Sequence, residues 1–149
     1  MSLFGTTYPP IDLDGAVVVI SGGGRGIGRA TAELFAARGA LVCVGDLDEE
    51  TAVDTATSIG ARARGHALDV TSRESWDVFV SPVIGEFGHI DILVNNAGVM
   101  PLGSFLDESD ATSRVTLDVN VWGPIHGMRT VLPGMVDRRR GHVVNIASM

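Results

Sequence analysis

The sequence predicts an α/β fold built on a doubly wound, mostly parallel sheet, and three observations carry that expectation. Short β-branched runs alternate with longer stretches of helical period. The runs are apolar throughout, as strands covered on both faces require. A glycine-rich segment joins the first run directly to the first helical stretch. With 149 residues, 45% of them hydrophobic and 19% charged, the chain has material for a single substantial core.

The strands come in order. Val17-Val18-Val19-Ile20 is the first, Leu41-Val42-Cys43-Val44 the second, residues 64–68 a weaker third, residues 90–94 the fourth, and Val143-Val144-Asn145-Ile146 the fifth. Between the first two, Ile27, Ala30, Thr31, Leu34 and Phe35 recur at helical spacing, and Gly39 supplies the stop just after Arg38. Residues 48–59 form a second helix that ends at Gly60. Ser72 caps a third with Trp76, Phe79, Val80, Val83 and Ile84 on its apolar stripe. Pro82 falls inside that pattern and is expected to kink the helix or shift its start. A long helical stretch over residues 110–136 is interrupted by Gly123-Pro124 and by Pro133-Gly134, and the second pair is the expected break. Residues 1–14 read as an N-terminal extension and residues 15–149 as one dinucleotide-binding domain without linker or repeat.

Composition removes several function classes. Eleven basic residues, all of them arginine, oppose eighteen acidic ones for a net charge of −7, which disfavours nucleic acid and anionic membrane surfaces as partners. No apolar stretch is long enough to span a bilayer. Residues 1–10 lack the basic-then-apolar order of a secretory signal. The single Cys43 lies in an apolar run and reads as a buried thiol in a reducing compartment, so the expected location is cytoplasmic. His66, His89, His126 and His142 show no paired spacing, and no metal site is expected. Arg138-Arg139-Arg140 reads as a solvated helix end favourable to the dipole.

The segment Ser21-Gly22-Gly23-Gly24-Arg25-Gly26-Ile27-Gly28 sits between a strand and a helix, the context a dinucleotide loop requires. Gly22 allows the tight turn, Gly26 the approach of a pyrophosphate to bare backbone, and Gly28 the packing of helix on strand. The helix start then offers free N–H groups and partial positive charge to phosphates. Asp46 follows the second strand eighteen residues after Gly28, where a carboxylate accepts hydrogen bonds from an adenosine ribose and repels a 2′-phosphate. NAD is therefore expected over NADP. Arg25 pulls the other way if it reaches a 2′-phosphate, and is otherwise a pyrophosphate neighbour or a solvated side chain. The fold expectation narrows to a Rossmann-like sheet.

At the end of the fourth strand stands Asn95-Asn96-Ala97-Gly98, and together with the glycine loop it resembles the short-chain dehydrogenase/reductase family. Further matches follow in order: Asp69-Val70 after the third strand, Asn120 in Val119-Asn120-Val121-Trp122-Gly123, and Ser148 in Asn145-Ile146-Ala147-Ser148. The resemblance covers residues 13–149. It implies that Ile27 and Leu47 line the cofactor with the loop and Asp46, that Asp69 and Val70 flank the adenine, and that Asn95, Ala97 and Gly98 lie along the cofactor. Asn120 is implied to order a proton-relay water, and Ser148 to hydrogen-bond the oxygen of a secondary alcohol or ketone as hydride moves to or from nicotinamide. On the residues alone, Asp69 can equally cap a loop, Asn95 tie strand ends through its amide, and Asn120 serve as a satisfied kink residue.

The family's Tyr-x-x-x-Lys element is absent, since the one tyrosine is Tyr8 and there is no lysine. In the family the element comes a dozen residues after the serine, beyond Met149, so the chain reads as truncated after its fifth strand. Apolar surface around that strand is then expected to be exposed, with poor solubility as the consequence. The resemblance implies a homodimer or homotetramer for the intact protein. Trp122 and Met128 read as core or subunit-interface residues, and Met100, Pro101 and Leu102 as pocket wall. A non-catalytic dinucleotide-binding or redox-sensing module is the alternative, using the same loop and Asp46. An adenosylmethionine-dependent methyltransferase leaves Asn95 to Gly98 without a role.

Overall fold

The computed structural model describes residues 11–147, so the expectations for residues 1–10 and for Ser148 lie outside it. Five strands form one parallel sheet: β1 (Val17–Ser21), β2 (Leu41–Asp46), β3 (Ala63–Ala67), β4 (Ile92–Asn95) and β5 (His142–Asn145). Their spatial order is β3-β2-β1-β4-β5. The helices are α1 (Gly26–Ala37), α2 (Glu49–Ile59), α3 (Arg73–Phe87), α4 (Asp110–Leu117) and α5 (Gly123–Asp137). The chain winds outward from β1 to β3, crosses back, and continues through β4 to β5, which is the doubly wound Rossmann-like arrangement the alternation predicts.

Every residue of β1 is buried, because the sheet has a core on each face. Val17 and Val19 pack with Trp76 and Phe79 of α3 and with Val131 and Met135 of α5. Val18 and Ile20 point the other way, to Ala32 of α1 and Ala52 of α2. The period of two along a strand thus sorts one unbroken valine run between two layers of helices. Cys43 belongs to the first core, and burial pushes its thiol up to about 12, so the side chain behaves as a small apolar group.

Helix ends follow local chemistry. The Asp48 carboxylate caps α2, Ser72 caps α3 and Ser109 caps α4, each accepting the N–H three residues on. Pro82 does not move the start of α3, which runs unbroken from the Ser72 cap to Phe87. The expected break at Pro133-Gly134 is corrected in the same sense, for α5 continues through both residues to Asp137. Each proline lies on an exposed stretch, and the residue four before it, Val78 or Arg129, is also exposed, so water can serve the carbonyl that loses its helical donor. The true irregularity comes earlier, at a π-helical segment Asp118–Trp122, where the Gly123 N–H donates to the Asp118 carbonyl five residues back. Pro124 follows at once, in a wider turn that relieves the clash of its ring with the carbonyl four residues before.

Arg138 also departs from the solvated reading. Its guanidinium donates to the Asp91 carboxylate at 3.3 Å and to the Ile90 carbonyl, while Arg139 takes a left-handed φ of 51° and Arg140 lies 4.0 Å from the same carboxylate. Trp122 is nearly half exposed and stacks on His126, whereas Met128 packs partly buried against the core. Among the described residues β5 is a sheet edge, with His142 and Asn145 exposed and Ile146 nearly half so. No helix among them is long and apolar enough to cross a membrane, and they contain no group of three or more metal-ligating side chains.

Candidate functional site

The strand order reverses between β1 and β4, and their carboxyl ends diverge there into a cavity of about 450 Å³. From β1 and its loop come Gly22 and Arg25, and from β2 Asp46, Leu47 and Asp48. Leu68, Asp69 and Val70 enter after β3, and residues 96–99 with Val119 close the far wall. The topology therefore gathers on one opening most of the residues singled out by sequence.

Gly22 takes a φ of +65°, and a Cβ there would lie 2.7 Å from the Ala97 Cα, so the loop and the end of β4 approach backbone to backbone. A Cβ on Gly28 would strike the Gly22 carbonyl and lie 2.5 Å from Asn96 Nδ2. Gly26 opens α1 with nothing against it, and Ile27 beside it is 68% exposed. Arg25 stands at the N-cap position of α1 in an extended conformation with no side-chain cap bond, and no acidic residue occupies the first turn. The first N–H groups of α1 therefore have no side-chain acceptor, unlike those of α2, α3 and α4.

Asp46 ends β2 partly buried. Its Oδ2 accepts the Gly24 N–H at 2.9 Å and its Oδ1 the Asp48 N–H at 3.2 Å. A carboxylate has about four lone-pair directions, so two remain open to further donors. The Arg25 guanidinium bonds the Asp48 carboxylate at 3.0 Å. Asp69 spends one oxygen on the Thr71 N–H and hydroxyl, 2.9 and 2.7 Å away, with its own N–H held by Ser75 Oγ. It caps a loop while facing the cavity beside Val70. Three carboxylates thus line the β2–β3 side, with one arginine from the glycine loop beside them.

On the β4 side the two asparagines divide. Asn95 is 3% exposed and directed away from the opening, where its Nδ2 donates to Asn145 Oδ1 of β5 at 2.8 Å. Asn96 lines the cavity and clamps the glycine loop instead, donating to the Gly22 carbonyl at 2.8 Å and to the Ser21 carbonyl at 3.2 Å. Sequence reasoning missed Asn96 although it lay inside the quoted motif. It also missed Ser21, whose hydroxyl accepts the N–H groups of Asn96 and Ala97, and the buried Thr55, whose hydroxyl holds the Gly24 carbonyl. A serine at a strand end and a threonine within a helix gave no signal of their own.

Asn120 sits in the π-helical segment and holds the loop after β4 by both atoms of its amide. Val99 N–H donates to its Oδ1 at 2.9 Å, and its Nδ2 donates to the Val99 carbonyl at 2.8 Å. Gly98, beside it, leaves room for this approach. Val99 rather than Met100, Pro101 or Leu102 reaches the cavity wall: Met100 and Leu102 project into solvent, and Pro101 and Leu102 border a separate hollow with Ser104 and Asp107.

The chain matches the family model described as short chain dehydrogenase over residues 16–149. It belongs to the short chain dehydrogenase family. Among curated relatives it is 42% identical over 137 residues to the "Probable oxidoreductase EphD" of Mycobacterium tuberculosis, a match that takes in 89% of this chain and 23% of that protein. Among solved structures it matches a short chain dehydrogenase/reductase of Burkholderia phymatum in complex with NAD, at 34% identity and a TM-score of 0.89, covering 93% of this chain and 51% of the other. A metagenomic short-chain oxidoreductase in complex with NADP matches at 34% identity and 0.87, with coverage of 93% and 65%. The chain thus spans 23% to 65% of the length of these proteins. Oxidoreductase chemistry and a dinucleotide-binding fold hold at the level of the family, whose neighbours take either cofactor.

Proposed function

We propose that this chain supplies the dinucleotide site of an NAD-preferring oxidoreductase that moves hydride between nicotinamide and a secondary alcohol or ketone. One observation carries the reading: the uncapped start of α1, the Gly22–Gly28 turn and the Asp46 carboxylate meet on one cavity at the β1/β4 divergence. The residues fit the group, for the backbone is bare where phosphates need N–H donors and acidic where a ribose needs acceptors. Hydride transfer is the cofactor's chemistry, and binding and orientation are the chain's.

In this reading the α1 N-terminus holds the pyrophosphate, with Gly22, Gly26 and Ile27 beside it. Asp46 and Leu47 hold the adenosine ribose, Asp69 and Val70 flank the adenine, and Ala97 and Gly98 run along the nicotinamide half, with Asn95 fixing the β4 end beneath them. Asn120 orders a relay water through its carbonyl, which Pro124, having no N–H, cannot engage as a helical donor. Ser148 bonds the substrate oxygen. The exposed Leu132 and Val136 of α5 support assembly as a homodimer or homotetramer.

Isothermal titration of the chain with NADH and NADPH tests the cofactor assignment. NADH is expected to bind more tightly, and Asp46→Ala to weaken it about tenfold, the scale of a charge-assisted hydrogen bond, while narrowing the gap to NADPH. A preference for NADPH in the unaltered chain overturns the role of Asp46. A second reading is a dinucleotide-binding module without hydride transfer, since the same loop and Asp46 would serve it. A steady NADH absorbance change with an alcohol or ketone excludes that module.

A further inference from the structure

Arg25 is the one cation among the described residues of the cavity lining, and its side chain makes a single hydrogen bond among them, to Asp48. Asp48 has a different standing. Its N–H is held by Asp46 Oδ1 at 3.2 Å, its Oδ1 accepts the Thr51 N–H at 3.4 Å as the cap of α2, and its carbonyl accepts the Thr51 hydroxyl at 2.9 Å. Asp48 is therefore held through its backbone by the end of β2 and through its cap by the start of α2, and the arginine comes to it. We infer that Asp48 is a positioning residue for cofactor choice, holding the Arg25 guanidinium in an ion pair that a 2′-phosphate would have to break.

The inference rests on the dinucleotide reading and sharpens it. Alone, Asp46 explains why a ribose hydroxyl is welcome, but it leaves a guanidinium on the same lining whose planar donors suit a phosphate. Asp48 removes that contradiction. The pair is exposed, with side chains 70% and 49% accessible, so its worth lies in selectivity and hardly at all in stability. Asp46 and Asp48 are linked through the Asp48 N–H, so the acceptor for the ribose and the restraint on the arginine come from one strand-to-helix turn.

The test is a cycle of titrations with NADH and NADPH on the full chain. Asp48→Asn keeps an acceptor for the Thr51 N–H and loses the charge, and Asp48→Ser does the same with a different cap. In both, the dissociation constant for NADPH is expected to fall about fivefold, near the upper worth of an exposed ion pair, with that for NADH changing less than about twofold. In an Arg25→Ala background the same substitution is expected to change NADPH binding by less than about twofold. An unchanged NADPH-to-NADH ratio in Asp48→Asn overturns the inference alone. Persistence of the fivefold gain without Arg25 also overturns it, since Asp48 would then act on the phosphate directly. Failure of the unaltered chain to bind either nucleotide overturns the dinucleotide reading together with this one.

Discussion

Replacing Gly28 by valine is expected to abolish measurable NADH binding and to lower the thermal midpoint by about 10 °C. A Cβ at this position meets the Gly22 carbonyl and the Asn96 amide, and neither is the free end of a flexible side chain. Asn96 Nδ2 is committed to the carbonyls of Ser21 and Gly22, so α1 itself must move off the sheet. Overpacking of this kind costs about 3 kcal/mol, and each kcal/mol is worth about 3 °C in a domain of this size. The binding loss is larger, since the displaced helix start takes its N–H groups away from the phosphates; a fall of more than about 100-fold is expected by titration. Gly26→Ala is the informative companion. Its Cβ meets nothing but its φ is +55°, so it is expected to cost only about 1 kcal/mol. Near-normal NADH affinity in Gly28→Val would show that close seating of α1 on β1 is dispensable.

Asp91→Ala is expected to cost about 3 kcal/mol in urea unfolding, a large effect for a residue remote from the cavity. The carboxylate is 3% exposed and joins four parts of the chain. Its Oδ2 accepts the Val17 N–H at the start of β1 and meets His89 at 3.1 Å, while its Oδ1 takes Arg138 from the end of α5. Its backbone meanwhile bonds Val17 and His142, beginning the pairing of β4 with β1 and β5. Burial raises its carboxyl pKa, but the Val17 N–H, the Arg138 hydrogen bond and the charges of His89 and Arg138 outweigh that, and the net direction is below the ordinary value of 3.8. A lowered folded value makes the contribution complete above about pH 4 and lost as pH falls through the folded pKa. Stability measured between about pH 2 and pH 6 is thus expected to fall less steeply at the acid end in Asp91→Asn. An unchanged acid slope would remove Asp91 as a source of that dependence.

Where the sequence was legible, the reason is local. The valine run of β1, the spacing of Gly22, Gly26 and Gly28, and Asp46 at the end of the next run are each determined by neighbours within a few residues. Asn95 and Asn96 show where legibility stops. All four residues of β4 are buried, so no alternation marks which side each faces, and the choice between two adjacent asparagines needs the phase of the strand. Arg138 is a second case, because its partner lies 47 residues away and nothing in a run of three arginines distinguishes the one that turns inward. The misplaced helix break is a third. Pro133 and Pro124 look equally disruptive in a sequence, and the difference between them is whether water or a widened turn meets the lost hydrogen bond.

The widened turn bears on how one helical stretch serves two different faces. An α-helix advances about 100° per residue, so a turn holding one extra residue resets the rotational phase of everything after it. Before the reset, Asn120 faces the loop after β4; beyond it, Val131 and Met135 face the sheet. Winding these same residues as a regular α-helix would rotate α5 by about a quarter turn relative to α4. Either the Val99 clamp or the seat of α5 on the core would then be lost. The extra residue of the wide turn is thus what lets one helical stretch present Asn120 to the loop after β4 and Val131 and Met135 to the sheet.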